Sequence, residues 1–257
     1  MFVTRQKTRI KQLLKQLRAQ FVRRVGVITH VDTTEPVMAL TFDDGPNPEW
    51  TPRLLDLLER HRARATFFVV GEMAARYPHI LERMTAAGHA IGNHSWNHPS
   101  FTAVGFAERK RQVRRCEATI ASHSQKLFRP PFGDLNWRSR LELRLAGYAV
   151  IGWSVSSADW QPSNHGLTIA DILRRESKPG SIVLLHDQLF AYTDYDECSR
   201  EPMLAALDQL MSGSQLEFVT VPELLKSGTP RARLWAKESE IEFLRSLETV
   251  SNLGFTY

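Results

Sequence analysis

The segment VMALTFDDGP (residues 37–46) joins an apolar run directly to two charged residues. The run at 37–42 predicts a buried strand. Asp43 and Asp44 therefore arrive together where that strand ends. Adjacent carboxylates repel each other and resist desolvation, so the pair needs a compensating cation, either a metal ion or an arginine.

Outward from this strand, short β-branched or aromatic runs alternate with helical patterns. Such alternation predicts an α/β fold with a parallel barrel or a doubly wound sheet. We favour an irregular seven-stranded parallel (β/α) barrel, similar to a TIM barrel, with one large core. The predicted strands lie at 37–42, 65–70, 89–93, 127–129, 148–154, 181–186 and 217–221, and the predicted helices at 50–61, 78–87, 106–122, 138–146, 169–176 and 203–211.

Positive charge is concentrated at the N-terminus. Residues 1–24 hold eight Lys or Arg and no acid, while the whole chain carries +5, so the rest is net negative. A nucleic-acid-binding groove needs positive charge along its face, and we therefore exclude one. Apolar residues between positions 10 and 21 recur at helical spacing and predict a basic amphipathic helix. This helix either docks on the domain, contacts an anionic membrane surface, or belongs to a disordered or partner-binding arm.

We expect three segments: a basic N-terminal extension (1–35), a central domain (36–226) and a helical tail (227–257). In the tail, four residues share one helical face, namely Leu234, Ile241, Leu244 and Leu247. The sequence contains neither a bilayer-spanning window nor a secretory signal, which favours a cytoplasmic or membrane-peripheral location. Cys116 and Cys198 lack a CxxC pattern and are expected to be ordinary thiols.

Chemically unusual polar residues follow five of the predicted strands. In a β/α barrel the C-terminal ends of the strands form the face that carries the chemistry, so these residues are expected to converge on one site. Two histidines four apart, plus a carboxylate, form a ligand set typical of hydrolytic metalloenzymes, although such a histidine pair alone is also common on solvated helices. The residues are Asp43, Asp44, His94, His98, Arg129, Asp159, His186 and Asp187.

Five segments carry a resemblance to a known family: TFDDGP, HSWNH, RPPFG, ADW and IVLLHD, in this order over residues 41–187. They resemble the signature motifs of the polysaccharide deacetylase family, carbohydrate esterase family four, whose catalytic unit is the NodB-homology domain. The resemblance covers residues 36–226 and implies the irregular seven-stranded barrel expected above. It also implies a metal-dependent hydrolase of carbon–nitrogen bonds.

The resemblance implies roles for the charged residues. Asp44, His94 and His98 correspond to ligands of a divalent cation, usually zinc and in some members cobalt or nickel. Asp43 corresponds to the general base that takes a proton from the attacking water, and His186 to the general acid that protonates the departing amine.

Further positions correspond to supporting roles. Arg129 would orient the general base, and Asp159 would hold the general acid in its tautomer and raise its proton affinity. The backbone N–H of Phe132, with the metal, would stabilise the oxyanion, while Trp160 and Leu184 would line the acetyl pocket. Two departures stand out: Phe132 replaces a more usual tyrosine, and Ser156 stands where an acidic residue often begins the fourth motif.

The implied substrate is an N-acetylglucosamine-type residue of a polysaccharide or oligosaccharide. Alternatives are a deformylase or deacetylase of a lipid-linked amino sugar, which the basic leader would suit, a small-molecule C–N hydrolase, and a catalytically inactive carbohydrate-binding relative. A glycosidase needs two carboxylates from separate strands, whereas Asp43 and Asp44 are neighbours.

Overall fold

The computed structural model describes residues 26–161, 164–190 and 199–233. Its strands are β1 (Val27–Asp32), β2 (Val37–Asp43), β3 (Ala65–Val69), β4 (Ala90–Asn93), β5 (Ser124–Phe128), β6 (Ala149–Val150), β7 (Val155–Ser156), β8 (Ile182–His186), β9 (Glu217–Phe218) and β10 (Thr229–Arg233). Its helices are α1 (Trp50–Arg60), α2 (Gly71–Arg76), α3 (Pro78–Ala86), α4 (Phe106–Ile120), α5 (Trp137–Leu145), α6 (Gly166–Glu176), α7 (Glu201–Gly213) and α8 (Val221–Leu224), with a 3₁₀ turn at Pro131–Gly133.

Seven strands form one parallel sheet path in the order β6-β5-β4-β3-β2-β8-β7, and β9 pairs in parallel with the start of β2. This confirms the predicted parallel β/α barrel of irregular form. All seven residues of β2 are buried, because both faces of a parallel sheet with flanking helices are covered. Among the described residues, no helix has the length and apolarity needed to cross a bilayer.

The two faces of β2 belong to two different apolar clusters. Met38, Leu40 and Phe42 pack with the surrounding helices, whereas Val37 and Ala39 pack inside the barrel. Side chains alternate between the faces of a strand, so Thr41 and Asp43 continue the inner face. The period of two therefore puts Asp43 at the mouth of the barrel interior.

β1 closes the gap between the two ends of the sheet path. Ile28 forms a bridge with Ile151, and His30 forms one with Ser181, just before β8. On its other edge β1 pairs antiparallel with β10. Both strands lie in the segments 1–35 and 227–257 that the sequence analysis set apart as extensions, so parts of both segments are hydrogen-bonded into the fold.

Two local predictions are corrected. The predicted strand at 148–154 is shortened to β6, and β7 begins only at Val155, because the carbonyls of Ile151 and Gly152 accept hydrogen bonds from the buried Arg129 instead of continuing the ladder. The predicted strand at 217–221 ends early and leads into α8, whose start carries a capping box between Thr220 and Glu223. The predicted basic helix before residue 25 and the apolar face after residue 233 lie outside the described residues.

Candidate active site

Asp43 and Asp44 face different partners although they are neighbours in sequence. Asp43 ends β2 on its inner face, whereas Asp44 has a φ of +75°. Aspartate tolerates this left-handed conformation better than most residues do. Both side chains are buried. The reversal at Asp44 turns its carboxylate toward the loop that follows β4, where His94 and His98 lie.

Arg129 is the cation that compensates Asp43. Its Nη1 donates to Oδ1 of Asp43 and to Oγ1 of Thr41, both at 2.7 Å, and its Nη2 donates to the Gly152 carbonyl at 2.9 Å. The guanidinium is fully buried and lies 4.2 Å from the centroid of the Phe68 ring. A buried ion pair is tolerated when further hydrogen bonds satisfy both partners, and this arrangement meets that condition.

Asp44, His94 and His98 form a cluster that could hold a metal ion. Nε2 of His94 and Nε2 of His98 lie 3.4 and 3.2 Å from Oδ1 of Asp44, and the donor atoms of the three residues all lie within 4.8 Å of one another. Nδ1–H of His94 donates to the Arg129 carbonyl at 2.7 Å. This bond selects the tautomer whose Nε2 lone pair faces Asp44, as in metal-binding histidines.

A tight loop, and not a helix, brings the two histidines together. Ser95 and His98 have φ values of +70° and +62°. The N–H of Ser95 donates to Oδ1 of Asn93 at 2.9 Å, and the N–H of His98 donates to Oγ of Ser95 at 3.1 Å. The ring centroids of His94 and His98 are consequently 4.9 Å apart.

The electrostatics of Asp44 fit a bound cation. Burial by itself raises the pKa of Asp44, but the charge of His98 and the close contacts with His94 and His98 outweigh it and hold that pKa well below its usual range. Oδ1 of Asp44 is buried, and no described residue donates a well-aligned hydrogen bond to it. A buried acceptor flanked by two imidazole nitrogens is the environment in which a divalent cation satisfies all three donors.

His186 and Asp159 form a second charged pair at the barrel mouth. His186 is in register with Asp43 across β8 and β2. Its Nδ1–H donates to Oδ1 of Asp159 at 3.0 Å, and its backbone N–H donates to Oδ2 at 2.9 Å. Ser157 also donates to Asp159, at 3.1 Å. Buried Arg200, which sequence reasoning missed, donates to the Asp159 carbonyl at 3.0 Å.

The charge of His186 depends on its acidic neighbours. Burial by itself lowers the pKa of His186, but the charge of Asp159, the hydrogen bond to Asp159 and the charges of Asp44 and Asp43 together raise that pKa to about 9. The imidazole is therefore protonated at neutral pH. Its Nδ1–H is engaged with Asp159, so the proton on Nε2 is the one free for chemistry.

Aromatic rings surround His98. The centroid of the Phe132 ring lies 4.5 Å from that of the imidazole in an edge-on arrangement, and the Phe190 ring is stacked on the imidazole at 5.2 Å with an interplanar angle of 18°. Phe190 was missed by sequence reasoning. Phe132 has a φ of +58°. Leu184 is buried with Val37, Ala39, Phe68 and Trp153 in the apolar cluster inside the barrel, the inner cluster. Trp160 is half-buried and directly follows Asp159.

Asp187 lies beneath the turn that carries Asp44. Oδ1 of Asp187 accepts the N–H of Gly45 at 3.1 Å, and Oδ2 accepts the hydroxyl of Thr51. Burial, together with the charge of Asp44, raises the pKa of Asp187 to about 7. Asp187 was expected at this rim from the sequence, without an assigned role. Its partner Thr51 lies on α1, and no sequence pattern links the two.

The sequence is similar to those of known enzymes. The family model described as polysaccharide deacetylase matches residues 30–151. The peptidoglycan-N-acetylglucosamine deacetylase of Bacillus cereus is 32% identical over 200 residues, which cover 76% of this chain and 70% of the relative. The chitooligosaccharide deacetylase of Sinorhizobium fredii is 38% identical over 186 residues, covering 70% of this chain and 86% of the relative.

The fold is also similar to a solved structure. The crystal structure of a peptidoglycan N-acetylglucosamine deacetylase in complex with an N-oxidanyl-benzamide superposes with a TM-score of 0.69 at 30% identity. The match covers 79% of this chain and 94% of that chain. Sequence and fold therefore agree on the same group of relatives.

Proposed function

Because the chain belongs to the polysaccharide deacetylase family and is thus a hydrolase of non-peptide carbon–nitrogen bonds, we propose that it removes N-linked acetyl groups from N-acetylglucosamine-type residues of a glycan. The observation that carries this proposal is the Asp44, His94 and His98 cluster beside the register pair Asp43 and His186. One rim thus combines a candidate metal site with a candidate base and a candidate acid.

Asp44, His94 and His98 are the proposed ligands of a divalent cation. Two imidazole nitrogens and one carboxylate oxygen suit zinc, with cobalt or nickel as alternatives, and leave a coordination position for water or substrate. Such an ion, when bound, polarises the amide carbonyl and lowers the pKa of the attacking water.

Asp43 is the proposed general base. Its Oδ1 is held by Arg129, and its Oδ2 lies 3.8 Å from Nε2 of His94. The carboxylate therefore sits beside the proposed ligands while Arg129 fixes its orientation. A base must lie within hydrogen-bond reach of the proton it accepts, and the contact between Asp43 and His94 supports this role for a water bound at the cluster.

His186 is the proposed general acid. With a pKa of about 9 it carries a proton at neutral pH, and the amine that leaves a hydrolysed amide needs that proton. Asp159 keeps the ring oriented through Nδ1, and Arg200 holds Asp159 from the far side. Asp159 and Arg200 are thus proposed as positioning residues.

The acyl group is proposed to bind between Phe132, Trp160 and Leu184. The backbone N–H of Phe132 is the proposed donor to the oxyanion. The ring contact between Phe132 and His98 keeps that backbone beside the proposed ligands. Leu184 lies two residues before His186 on β8, and its side chain belongs to the inner cluster. We propose that it forms the bottom of the acyl pocket.

The proposed substrate class rests on relatives that act on peptidoglycan and on chitooligosaccharides. The test measures acetate release from chitin oligomers, peptidoglycan fragments and lipid-linked amino sugars, each with added zinc, cobalt or nickel. We expect release from at least one N-acetylglucosamine polymer, and its abolition by a chelator. If acetate is released only from the lipid-linked amino sugar and only with metal, the proposed glycan substrate is wrong and the lipid-linked sugar replaces it.

A further inference from the structure

Asp187 is a buried carboxylate for which the proposed reaction has no use. It follows His186, and only 1% of its surface is exposed. Burying a carboxylate is unfavourable unless its oxygens are hydrogen-bonded. Here each oxygen has one partner, the Gly45 N–H and the Thr51 hydroxyl. Gly45 directly follows the dipeptide that supplies the proposed base and one proposed ligand, and Thr51 lies in the first turn of α1.

The turn at Asp44 is clamped from two strands. The N–H of Asp187 donates to the Asp43 carbonyl at 3.3 Å, and the N–H of Val70 donates to the Gly45 carbonyl at 3.0 Å. A Cβ on residue 45 would lie 2.2 Å from Oδ2 of Asp187. Only glycine therefore permits this approach. The carboxylate of Asp187 thus holds the backbone immediately after the left-handed Asp44.

The same carboxylate ties the turn to α1. The hydroxyl of Thr51, which donates to Asp187, also accepts the N–H of Asn47 at 2.7 Å. Oδ1 of Asn47 in turn accepts the N–H groups of Glu49 and Trp50, both at 2.8 Å, and so satisfies two backbone donors at the start of α1. The turn, the helix start and the end of β8 therefore share one hydrogen-bonded unit.

We propose that Asp187 is a positioning residue that sets the metal affinity of the site by fixing the Asp43–Gly45 turn against α1 and β8. The inference rests on the proposed metal site, since it acts through Asp44. Asp187 makes no hydrogen bond to a proposed ligand side chain; it acts on the backbone that carries Asp44. Groups that orient metal ligands from behind typically change metal affinity or activity by about 10- to 100-fold when removed.

The test is zinc affinity of metal-free protein, measured by competition with a chelating indicator. We expect Asp187→Ala to weaken zinc binding by about 10- to 100-fold. Asp187→Asn keeps an oxygen for Gly45, so its loss is expected to be smaller. Thr66→Val is the matched control, because it removes a buried hydroxyl whose hydrogen bond goes to the Val221 N–H and not to Asp187 or the Asp43–Gly45 turn. The control is expected to lower stability and leave zinc affinity unchanged.

The outcomes separate this inference from the proposed function. Zinc binding by Asp187→Ala as tight as in the wild type would overturn the positioning role and leave the metal site intact. A wild type that binds no divalent cation would overturn the metal site itself. If Asp187→Ala does not fold, Thr51→Val serves in its place: weakened zinc binding supports the role, and unchanged affinity contradicts it.

Discussion

At the scale of single residues, the Asp43-Asp44 dipeptide divides two tasks by backbone geometry. Asp43 continues the alternation of β2 and meets Arg129 inside the barrel, whereas the left-handed backbone of Asp44 directs its carboxylate to the histidines. A residue shift of one along a strand reverses the face that a side chain occupies. Neighbouring carboxylates can therefore serve different partners without sharing a cation.

Separate substitutions of the two aspartates should have different effects. Asp44→Asn should lower metal content, because an amide is a much weaker ligand than a carboxylate. Asp43→Asn should keep the metal while turnover falls by about 100-fold or more, since the proposed base is lost. His94→Ala should resemble the first variant and His186→Ala the second. Metal analysis beside acetate-release rates distinguishes them, and an exchange of the two aspartate phenotypes would reverse the proposed roles.

The pH dependence should report the His186–Asp159 pair. The pKa of His186 is raised from 6.5 to about 9, so the protonated acid persists through neutral pH and is lost as pH rises through about 9. We expect kcat/KM to decline over that alkaline range. Asp159→Asn removes the charge that raises the pKa, and the alkaline limb should move to lower pH.

Ser157→Ala is the control for this profile. It removes one hydrogen bond to Asp159 and keeps the negative charge, so its alkaline limb should stay closer to that of the wild type. An alkaline limb that stays in place in Asp159→Asn would assign it to a group other than His186.

Leu184→Ala should enlarge the proposed acyl pocket. The lost methylene groups should weaken discrimination between acetyl and longer acyl groups by about 1–3 kcal/mol. The side chain is buried in the inner cluster, so a stability loss of about 2–5 kcal/mol should accompany the change. Rates on acetylated and longer-chain acylated sugars give the preference. If the preference for acetyl over longer acyl groups is unchanged while stability falls, Leu184 contributes to the hydrophobic core and not to substrate selection.

At the scale of elements, Arg129 connects the sheet to the chemistry. Its guanidinium donates hydrogen bonds to the carbonyls of Ile151 and Gly152, which in a longer strand would accept from a neighbouring strand. β6 and β7 are therefore short. β1 occupies the space this leaves and pairs with the same segment through Ile28. The irregular part of the barrel is thus the part that positions the partner of Asp43.

Two truncations should separate the basic leader from β1. Deleting residues 1–24 leaves β1 in place, so the barrel should fold and hydrolyse a small soluble substrate, while binding to anionic vesicles is lost. Deleting residues 1–35 removes β1 and its bonds to Gly152 and Gly180, which should lower the melting temperature strongly. Circular dichroism and vesicle sedimentation measure both effects. An unfolded first truncation would make the leader structural and contradict the membrane contact.

At the scale of the whole molecule, the site lies where the carboxyl ends of several parallel strands meet. β2, β4, β5 and β8 each end on or just before a proposed site residue, and register pairing brings Asp43 beside His186. Beneath this rim, the inner cluster fills the barrel and supports the buried ion pairs. The rim residues thus rest on a packed core, which gives them fixed positions.

Local sequence patterns were enough to predict the parallel β/α alternation and most of the residues that meet at the rim. Both depend on local signals: strand periodicity reports burial along a few residues, and the ends of parallel strands share one edge. The spacing in HSWNH favoured two histidines beside one carboxylate only together with the other motifs, and a left-handed loop and not a helix carries them.

The partners that site residues find in distant segments could be identified only from the folded structure. Arg200 behind Asp159, Phe190 against His98 and Thr51 beside Asp187 each join elements that no local pattern relates. The pairing of β1 with β10 likewise joins strands from opposite ends of the described chain. Periodicity tells which face of an element is buried but not which element covers it, because that choice depends on the packing of the complete fold.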